Sequence, residues 1–198
     1  MSFKVSTFLN VGGGTYKFTF LLVLWNDYKD SVRDEMNRQA EAFGEDLGLE
    51  GALVQPYPQR MHDTAQEVLN KKWPPKIGTR MSDDADPLLL IVNRDFASFD
   101  PRQDPYAIIW LSDYHSKPES IRPMLQQLAR RTRRGDDVIV YLRDIAERAS
   151  EAEHRQKAAG VARRAARLAS YIEIKPNIFG VSVDVSAILK DIASQRDS

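Results

Sequence analysis

The chain has 198 residues, 42% of them hydrophobic, with 28 Lys and Arg residues balanced by 28 Asp and Glu residues and no Cys. This composition supports a folded core, and the absence of Cys excludes disulfides, Cys-ligated zinc, iron–sulfur clusters and thiol nucleophiles. The longest apolar run, residues 20–25, is far shorter than the ~20 residues of a membrane span, so we expect a cytoplasmic protein with no membrane contact.

Charge is distributed unevenly along the chain. Residues 1–113 carry 12 basic and 17 acidic residues, whereas residues 114–172 carry 13 basic and 7 acidic residues. A local excess of positive charge is typical of surfaces that bind nucleic acid or acidic proteins. The sequence therefore predicts a basic binding surface within residues 130–167.

The N-terminal segment begins with two β-rich runs, residues 4–11 and 15–25, on either side of the glycines at 12–14. Glycine readily adopts the positive φ of a hairpin turn, so this pattern predicts an antiparallel N-terminal hairpin. A helix is predicted next, from Asp27, because apolar residues then recur on one helical face. That face carries Val32, Met36, Ala40 and Phe43.

The middle of the chain alternates between short elements. A strand over residues 53–57 and a helix over residues 63–73 are followed by residues 74–86, whose prolines and charges predict a loop. Continuous apolar runs at 87–92 and 106–111 are typical of strands buried on both faces. The short connection between these two strands leaves their relative direction open.

The second half of the chain continues the alternation. A helix begins near Lys117, or near Ser120 if Pro123 occupies its first turn, and ends at Gly135. The remaining predicted elements are a buried strand at 137–142, a weakly amphipathic helix at 144–170, strands at 172–174 and 178–183, and a terminal helix around 188–192.

These elements predict one α/β domain over residues 1–198. We expect a three-layer sandwich, with a mixed, mostly parallel sheet, helices on both of its faces and an N-terminal β-hairpin. The layout is similar to small signalling α/β domains of the flavodoxin-like, receiver and TIR folds. Because a receiver domain has paired acids after its first strand and this chain has only Asn26-Asp27 there, the similarity is one of layout and implies no function.

Acidic residues that follow predicted strands form the candidate catalytic and metal site. Carboxylates at the carboxyl ends of parallel strands would share one edge of the sheet, where Mg²⁺ binds hard oxygen ligands. In this hypothesis Asp95, Asp113 and His115 are catalytic, and Arg94 or Arg143 clamps a phosphate group. The candidate metal ligands are Asp27, Asp95, Asp113 and Asp144.

Two alternatives to this site follow from the same residues. Asp27 and Asp144 lie at predicted strand-to-helix junctions, where Asp is a preferred N-cap. If the strands at 87–92 and 106–111 are antiparallel, Asp95 and Asp113 lie at opposite edges of the sheet. The glycines at 12–14 lie between two β-rich runs, which excludes a P-loop or a dinucleotide fingerprint.

Candidate partner-binding residues come from the basic segment and from one loop. Arginines near a helix C-terminus also stabilise the helix dipole, so the first group has a structural explanation as well. The loop 96–105 carries two Phe that either pack inward or meet a partner. The candidate residues are Arg130, Arg131, Arg133, Arg134, Arg163, Arg164, Arg167, Phe96 and Phe99.

Two hypotheses of function result. The favoured one is a non-enzymatic interaction or sensor domain of a signalling assembly, whose basic surface binds an acidic protein or nucleic acid. The alternative is a Mg²⁺-dependent enzyme that binds nucleotides and transfers or hydrolyses phosphoryl groups. A protein partner is expected under the first hypothesis, which also admits a homo-oligomer, and Mg²⁺ is a cofactor only under the second.

Overall fold

A computed structural model describes residues 2–11, 16–24, 31–83, 86–158 and 180–183. The strands are β1 (Ser2–Val5), β2 (Phe18–Val23), β3 (Gly51–Pro56), β4 (Leu88–Val92), β5 (Tyr106–Trp110) and β6 (Gly180–Val183). The helices are α1 (Ser31–Asp46), α2 (Met61–Leu69), α3 (Pro75–Asp83), α4 (Ile121–Arg133) and α5 (Val138–Ala158). Short 3-10 helices lie at Phe8–Asn10, Pro58–Arg60, Leu111–Tyr114 and Pro118–Ser120.

The described strands form one sheet in the order β1-β3-β2-β4-β5-β6. The pairs β1–β3, β2–β3 and β5–β6 are parallel, whereas β2–β4 and β4–β5 are antiparallel. The predicted α/β class with a mixed sheet is therefore confirmed. The prediction that the sheet is mostly parallel is wrong, because only three of its five pairings are parallel and β4, in its interior, runs antiparallel to both neighbours.

The predicted N-terminal hairpin is not formed by the described strands. β3 lies between β1 and β2 and runs parallel to both, with Ser2 opposite Leu53 and Phe18 opposite Gly51. The first β-rich run ends early because Phe8 turns into the core, where it is fully buried and its backbone N–H donates to Glu67 Oε2 at 2.7 Å. The glycines at 12–14 lie outside the described residues.

Apolar side chains on the two sides of the sheet belong to two separate clusters. Alternate strand residues such as Phe20, Leu53 and Ile109 pack with α1, α4 and α5 in the first cluster. The intervening residues, such as Leu21, Val54 and Ile108, pack with α2 and α3 in the second. The continuous apolar runs of β2, β4 and β5 follow from this burial on both faces.

Residues 74–86 were predicted to be a loop, which is wrong for most of the segment because α3 spans Pro75–Asp83. Pro75 occupies the first helical position, where its missing N–H has no intrahelical partner to lose. Ile77 and Met81, one turn apart, pack into the second cluster. Burial of this narrow apolar face stabilises the helix, although the Pro, Gly and charged residues of the segment are typical of a loop.

The predicted strand at 137–142 is also wrong, because these residues begin α5. Asp137 Oδ1 accepts hydrogen bonds from the backbone N–H groups of Ile139 and Val140, each at 3.0 Å, as an N-cap does. The buried residues Val138, Leu142 and Ile145 then follow a helical spacing. A short apolar run fits either period, and here the cap favours the helix.

The other predicted elements agree with the structure to within a few residues. The face of α1 carries the four predicted apolar residues, all buried. α4 begins at Ile121, as expected if Pro123 lies in the first turn, and ends before Gly135, whose φ is 77°. β6 falls within the predicted strand at 178–183. The predicted strand at 172–174 and the terminal helix lie outside the described residues.

Candidate functional site

Asp95 and Asp113 of the predicted metal site do not lie at the same edge of the sheet. β4 and β5 are antiparallel, with Val92 opposite Tyr106 and Leu88 opposite Trp110. Asp95 follows β4 and Asp113 follows β5, so they lie beyond opposite ends of this strand pair. No group of three or more His, Asp or Glu side chains suited to a metal ion occurs among the described residues.

Of the two remaining acids of that site, the structure describes Asp144. Asp144 was predicted to follow a strand, but it lies inside α5, where its carboxylate is 3.8 Å from Nε of Arg143. Arg143 also lies 4.0 Å from Glu147, one turn further along the helix. The predicted phosphate clamp is therefore part of an exposed ion-pair cluster on α5. Asp27 lies outside the described residues.

Asp113 instead belongs to an ion-pair network centred on Arg80 of α3. Arg80 Nε lies 2.7 Å from Asp86 Oδ2, and Arg80 Nη2 lies 3.0 Å from Asp113 Oδ1. The same Nη2 donates to Ser112 Oγ at 3.2 Å, and the guanidinium carbon stacks 4.2 Å from the ring centroid of Trp110. The network ties α3 to the carboxyl end of β5.

The three charged side chains of this network are largely buried. The side chains of Arg80, Asp86 and Asp113 are 23%, 16% and 14% exposed. A partly buried carboxylate held by a guanidinium is a structural counterion, since releasing it would leave two charges poorly solvated. His115, two residues further on, is exposed at the end of a 3-10 helix, where its backbone N–H donates to Ser112 O.

The predicted catalytic residue Asp95 has a local structural role in the loop after β4. Asp95 Oδ1 accepts a hydrogen bond from the backbone N–H of Ala97 at 3.3 Å, which stabilises a tight turn. Nearby, Arg94 Nη1 lies 2.7 Å from Asp104 Oδ1, and Asp104 is only 5% exposed. Asp104 Oδ2 also accepts from the backbone N–H of Asp100. Arg94 is thus occupied by a carboxylate of its own loop.

Phe96 and Phe99 pack inward, which is one of the two alternatives that the sequence leaves open for this loop. They are 1% and 2% exposed. Phe99 packs edge-on against Tyr106 at 5.8 Å, and Phe96 packs edge-on against Phe8 at 5.9 Å. Both rings therefore belong to the second apolar cluster and anchor the irregular loop to the core.

Lys71 lies at the margin of this aromatic cluster. Its Nζ donates to Ala97 O at 3.1 Å and lies 4.8 Å from the ring centroid of Phe96. Partial burial lowers the pKa of Lys71, and this effect outweighs the opposing attraction of Asp95, Asp100 and Asp104. The hydrogen bond from the ammonium group therefore links the loop 96–105 to the segment that follows α2.

The basic residues at the C-terminal end of α4 divide into two pairs. Arg131 lies 3.2 Å from Asp136 and stacks 4.3 Å from the ring centroid of Tyr141, and Arg133 lies 3.1 Å from Asp46 at the end of α1. Arg130 and Arg134 are exposed and make no ion pair with another described residue. This second pair therefore has no carboxylate partner among the described residues.

The helix end itself positions these two arginines. Gly135 closes α4 in a left-handed conformation, with its N–H bonded to Thr132 O at 2.9 Å and the N–H of Asp136 bonded to Arg131 O at 3.1 Å. This pattern is a Schellman cap. Lys17 Nζ donates to Gly135 O, which brings a further positive charge to the same end of the helix.

An open groove of about 420 Å³ lies beside this helix end, and we call it the arginine groove. It is lined by Asp46, Gln126, Ala129, Arg130, Arg133 and Arg134. Asp46, the one carboxylate among the described residues that line the groove, is paired with Arg133, so these residues present an excess of positive charge. The predicted residues Arg163, Arg164 and Arg167 lie outside the described residues.

Sequence reasoning missed Gln126 and Asp46 as groove residues and Arg80 as the centre of the buried network. The spacing of Arg122, Gln126 and Arg130 marks one helical face and could have indicated Gln126. Asp46 and Arg80 carry no comparable signal, because their partners lie far away in the sequence.

The chain matches no protein-family model, and no curated protein or solved structure is significantly similar to it. Within the described residues, no helix has both the length and the apolar composition needed to cross a lipid bilayer. The assignment of function therefore rests on the geometry of the chain itself.

Proposed function

We propose that this chain is a non-enzymatic interaction domain of a signalling assembly that binds an acidic segment of a protein partner in the arginine groove. The observation that carries the proposal is the contrast within α4. Arg131 and Arg133 are held by Asp136 and Asp46, whereas Arg130 and Arg134 have no carboxylate among the described residues. Guanidinium groups bind carboxylates through paired hydrogen bonds, so a Glu- or Asp-rich segment would suit them.

A protein partner fits the arginine groove better than nucleic acid does. Affinity for nucleic acid grows with the number of phosphates neutralised, and the described groove offers only two arginines without an internal partner. Proteins that bind single-stranded nucleic acid also use aromatic side chains for stacking, and none of the described residues that line this groove is aromatic. An acidic peptide needs only a few well-placed cations, which steer its approach through complementary charge.

The scope of the proposal includes the finer fold predictions. We interpret the two apolar clusters as the two core layers of a three-layer sandwich that forms a single domain over residues 1–198. Under this interpretation, Arg163, Arg164 and Arg167 extend the basic surface that begins at Arg130. No observation favours the magnesium-dependent enzyme, since Asp95 and Asp113 lie apart and Asp113 is bound to Arg80.

Charge reversal tests the proposal. The variant R130E/R134E replaces both unpaired arginines, and the matched control K72E/R102E reverses two exposed charges outside the arginine groove. Binding of fluorescein-labelled decaglutamate and of a labelled DNA duplex is measured for each protein at the same salt concentration. We expect the wild type and the control to bind decaglutamate and R130E/R134E to bind it at least about tenfold more weakly.

Three results would contradict the proposal. The first is that the wild type does not bind decaglutamate. The second is that K72E/R102E loses as much affinity for decaglutamate as R130E/R134E does, and the third is that the wild type binds the DNA duplex more tightly than decaglutamate. The last result would assign the surface to nucleic acid. A Mg²⁺-dependent rise in thermal stability that is lost in Asp113→Asn would instead support the enzymatic alternative.

A further inference from the structure

A second cavity, distinct from the arginine groove, opens between α1 and the carboxyl ends of three parallel strands. It has a volume of about 460 Å³ and we call it the strand-end cleft. β1, β3 and β2 lie side by side in parallel at this edge. In open α/β sheets, ligands bind outside the carboxyl ends of the strands, and the volume is within the usual range for small-molecule sites.

Half of the described residues that line the strand-end cleft are apolar. Leu22 and Leu24 of the β2 end are fully or almost fully buried, and Ala40 of α1 and Met61 of α2 line the cleft beside them. All four belong to the first apolar cluster. A ligand in the cleft would therefore place an aliphatic or aromatic body against these side chains, and its burial there would supply part of the binding free energy.

A buried amide, that of Gln55, also lines the cleft. Gln55 of β3 is 8% exposed, and its Nε2 donates to Ser2 Oγ at 2.9 Å. No described residue donates a hydrogen bond to Gln55 Oε1, and Gln55 lines the cleft. This carbonyl oxygen is a fixed acceptor for a ligand N–H, because the bond to Ser2 sets the orientation of the amide.

Three charged residues line the cleft, and they carry both signs of charge. Lys4 is opposite Gln55 in the β1–β3 register and shares its side of the sheet, and Glu41 lines the cleft from α1. Both side chains are exposed, and neither makes an ion pair with the other or with any other described residue. Arg33 of α1 also lines the cleft but is engaged in an interaction of its own. Lys4 and Glu41 are therefore the cation and the anion whose hydrogen-bonding groups are available to a ligand.

From this arrangement we infer that the strand-end cleft binds a small zwitterion with an apolar body, of the class of free amino acids and dipeptides. The ligand carboxylate pairs with Lys4, and its ammonium group pairs with Glu41. A ligand N–H donates to Gln55 Oε1, and the apolar side chain lies on Leu22, Leu24 and Met61. Charge-assisted hydrogen bonds at both ends make the site selective for molecules that carry both charges.

The test uses the full chain and the dipeptide Leu-Leu, together with its N-acetylated and its C-amidated forms, in isothermal titration calorimetry. We expect Leu-Leu to bind, and each blocked form to bind about tenfold more weakly, as loss of a hydrogen bond to a charged group predicts. K4M and E41Q remove one rim charge each, and both positions are exposed, so the fold is retained.

The variants and the blocked ligands together identify each contact. K4M weakens binding of Leu-Leu but leaves the affinity for the C-amidated form unchanged, because that form has no carboxylate to lose. E41Q weakens binding of Leu-Leu but not of the N-acetylated form. The controls K72M and E45Q alter exposed residues outside the cleft and leave all affinities unchanged.

Failure to bind Leu-Leu would overturn the inference, as would equal affinity for Leu-Leu and both blocked forms. Equal weakening by K4M and the control K72M would also contradict it. None of these outcomes bears on the arginine groove, because the ligands and the substituted residues of the two tests differ.

Discussion

Arginine residues serve opposite purposes in two regions of the molecule. Arg80 of α3 is 23% exposed and holds Asp86 and Asp113 while stacking on Trp110. Arg130 and Arg134 at the end of α4 are exposed, with no ion pair to another described residue. The residue type is the same, and the surroundings decide its role. An internally paired arginine stabilises the fold, whereas an unpaired one is available to another molecule.

Truncation of a buried aromatic side chain has the largest expected effect, because such a side chain belongs wholly to the fold. Phe99→Ala should lower the free energy of unfolding by about 3 to 5 kcal/mol, because it opens a cavity between Trp73 and Tyr106. Urea denaturation measures this change. If the loss is below about 1 kcal/mol, Phe99 does not pack in the core and the loop 96–105 returns as a candidate contact surface.

The ion-pair network gives the next largest effect. Arg80→Met should destabilise the fold by about 2 to 3 kcal/mol, below the value for a fully buried pair because all three side chains keep some solvent contact. The loss arises from the two carboxylates left without their counterion. Urea denaturation of R80M, D113N and R80M/D113N provides a double-mutant cycle, and a coupling energy near zero would remove Asp113 from the network.

The N-terminal end of α5 gives a smaller expected effect that does not depend on arginine. Asp137→Ala should cost about 1 kcal/mol, because two backbone N–H groups lose the carboxylate that caps them. Thermal unfolding and helical circular dichroism measure the change. A variant as stable as the wild type would show that Val138 and Leu142 alone determine the start of the helix.

Lys71, which lies beside the ring of Phe96, makes the stability of the fold depend on pH. Because burial lowers its folded pKa below 10.5, the unfolded chain binds more protons than the folded chain as pH approaches that value, so stability rises with pH across this window. Lys71→Met abolishes this rise. Urea denaturation from pH 8 to pH 11 measures it, and identical pH dependence in both proteins would contradict the assigned burial.

The sequence predicts most of the fold where one local signal dominates. The helical face of α1, the end of α4 at Gly135 and the buried runs of β4 and β5 are all visible as patterns of apolar residues and turn formers. The helix start at Asp137 was missed because a short apolar run fits two periods. α3 was missed because only tertiary burial of Met81 reveals its apolar face.

The candidate sites were less predictable, because they depend on strand direction and on distant partners. One antiparallel pairing, β4 with β5, separates Asp95 from Asp113. The partner of Asp113 is Arg80, 33 residues away, and the partner of Arg133 is Asp46, 87 residues away. Sequence identified the four arginines as a group, but only the contacts distinguish the two that are engaged from the two that are not.

The central claim is that Arg130 and Arg134 bind a partner and contribute nothing essential to the fold. The most direct measurement is the dissociation constant of labelled decaglutamate for R130E/R134E, determined on protein whose unfolding free energy has been measured first. The account predicts stability within about 0.5 kcal/mol of the wild type, with affinity at least about tenfold lower. Unchanged affinity in a stable variant, or a large loss of stability, would contradict it.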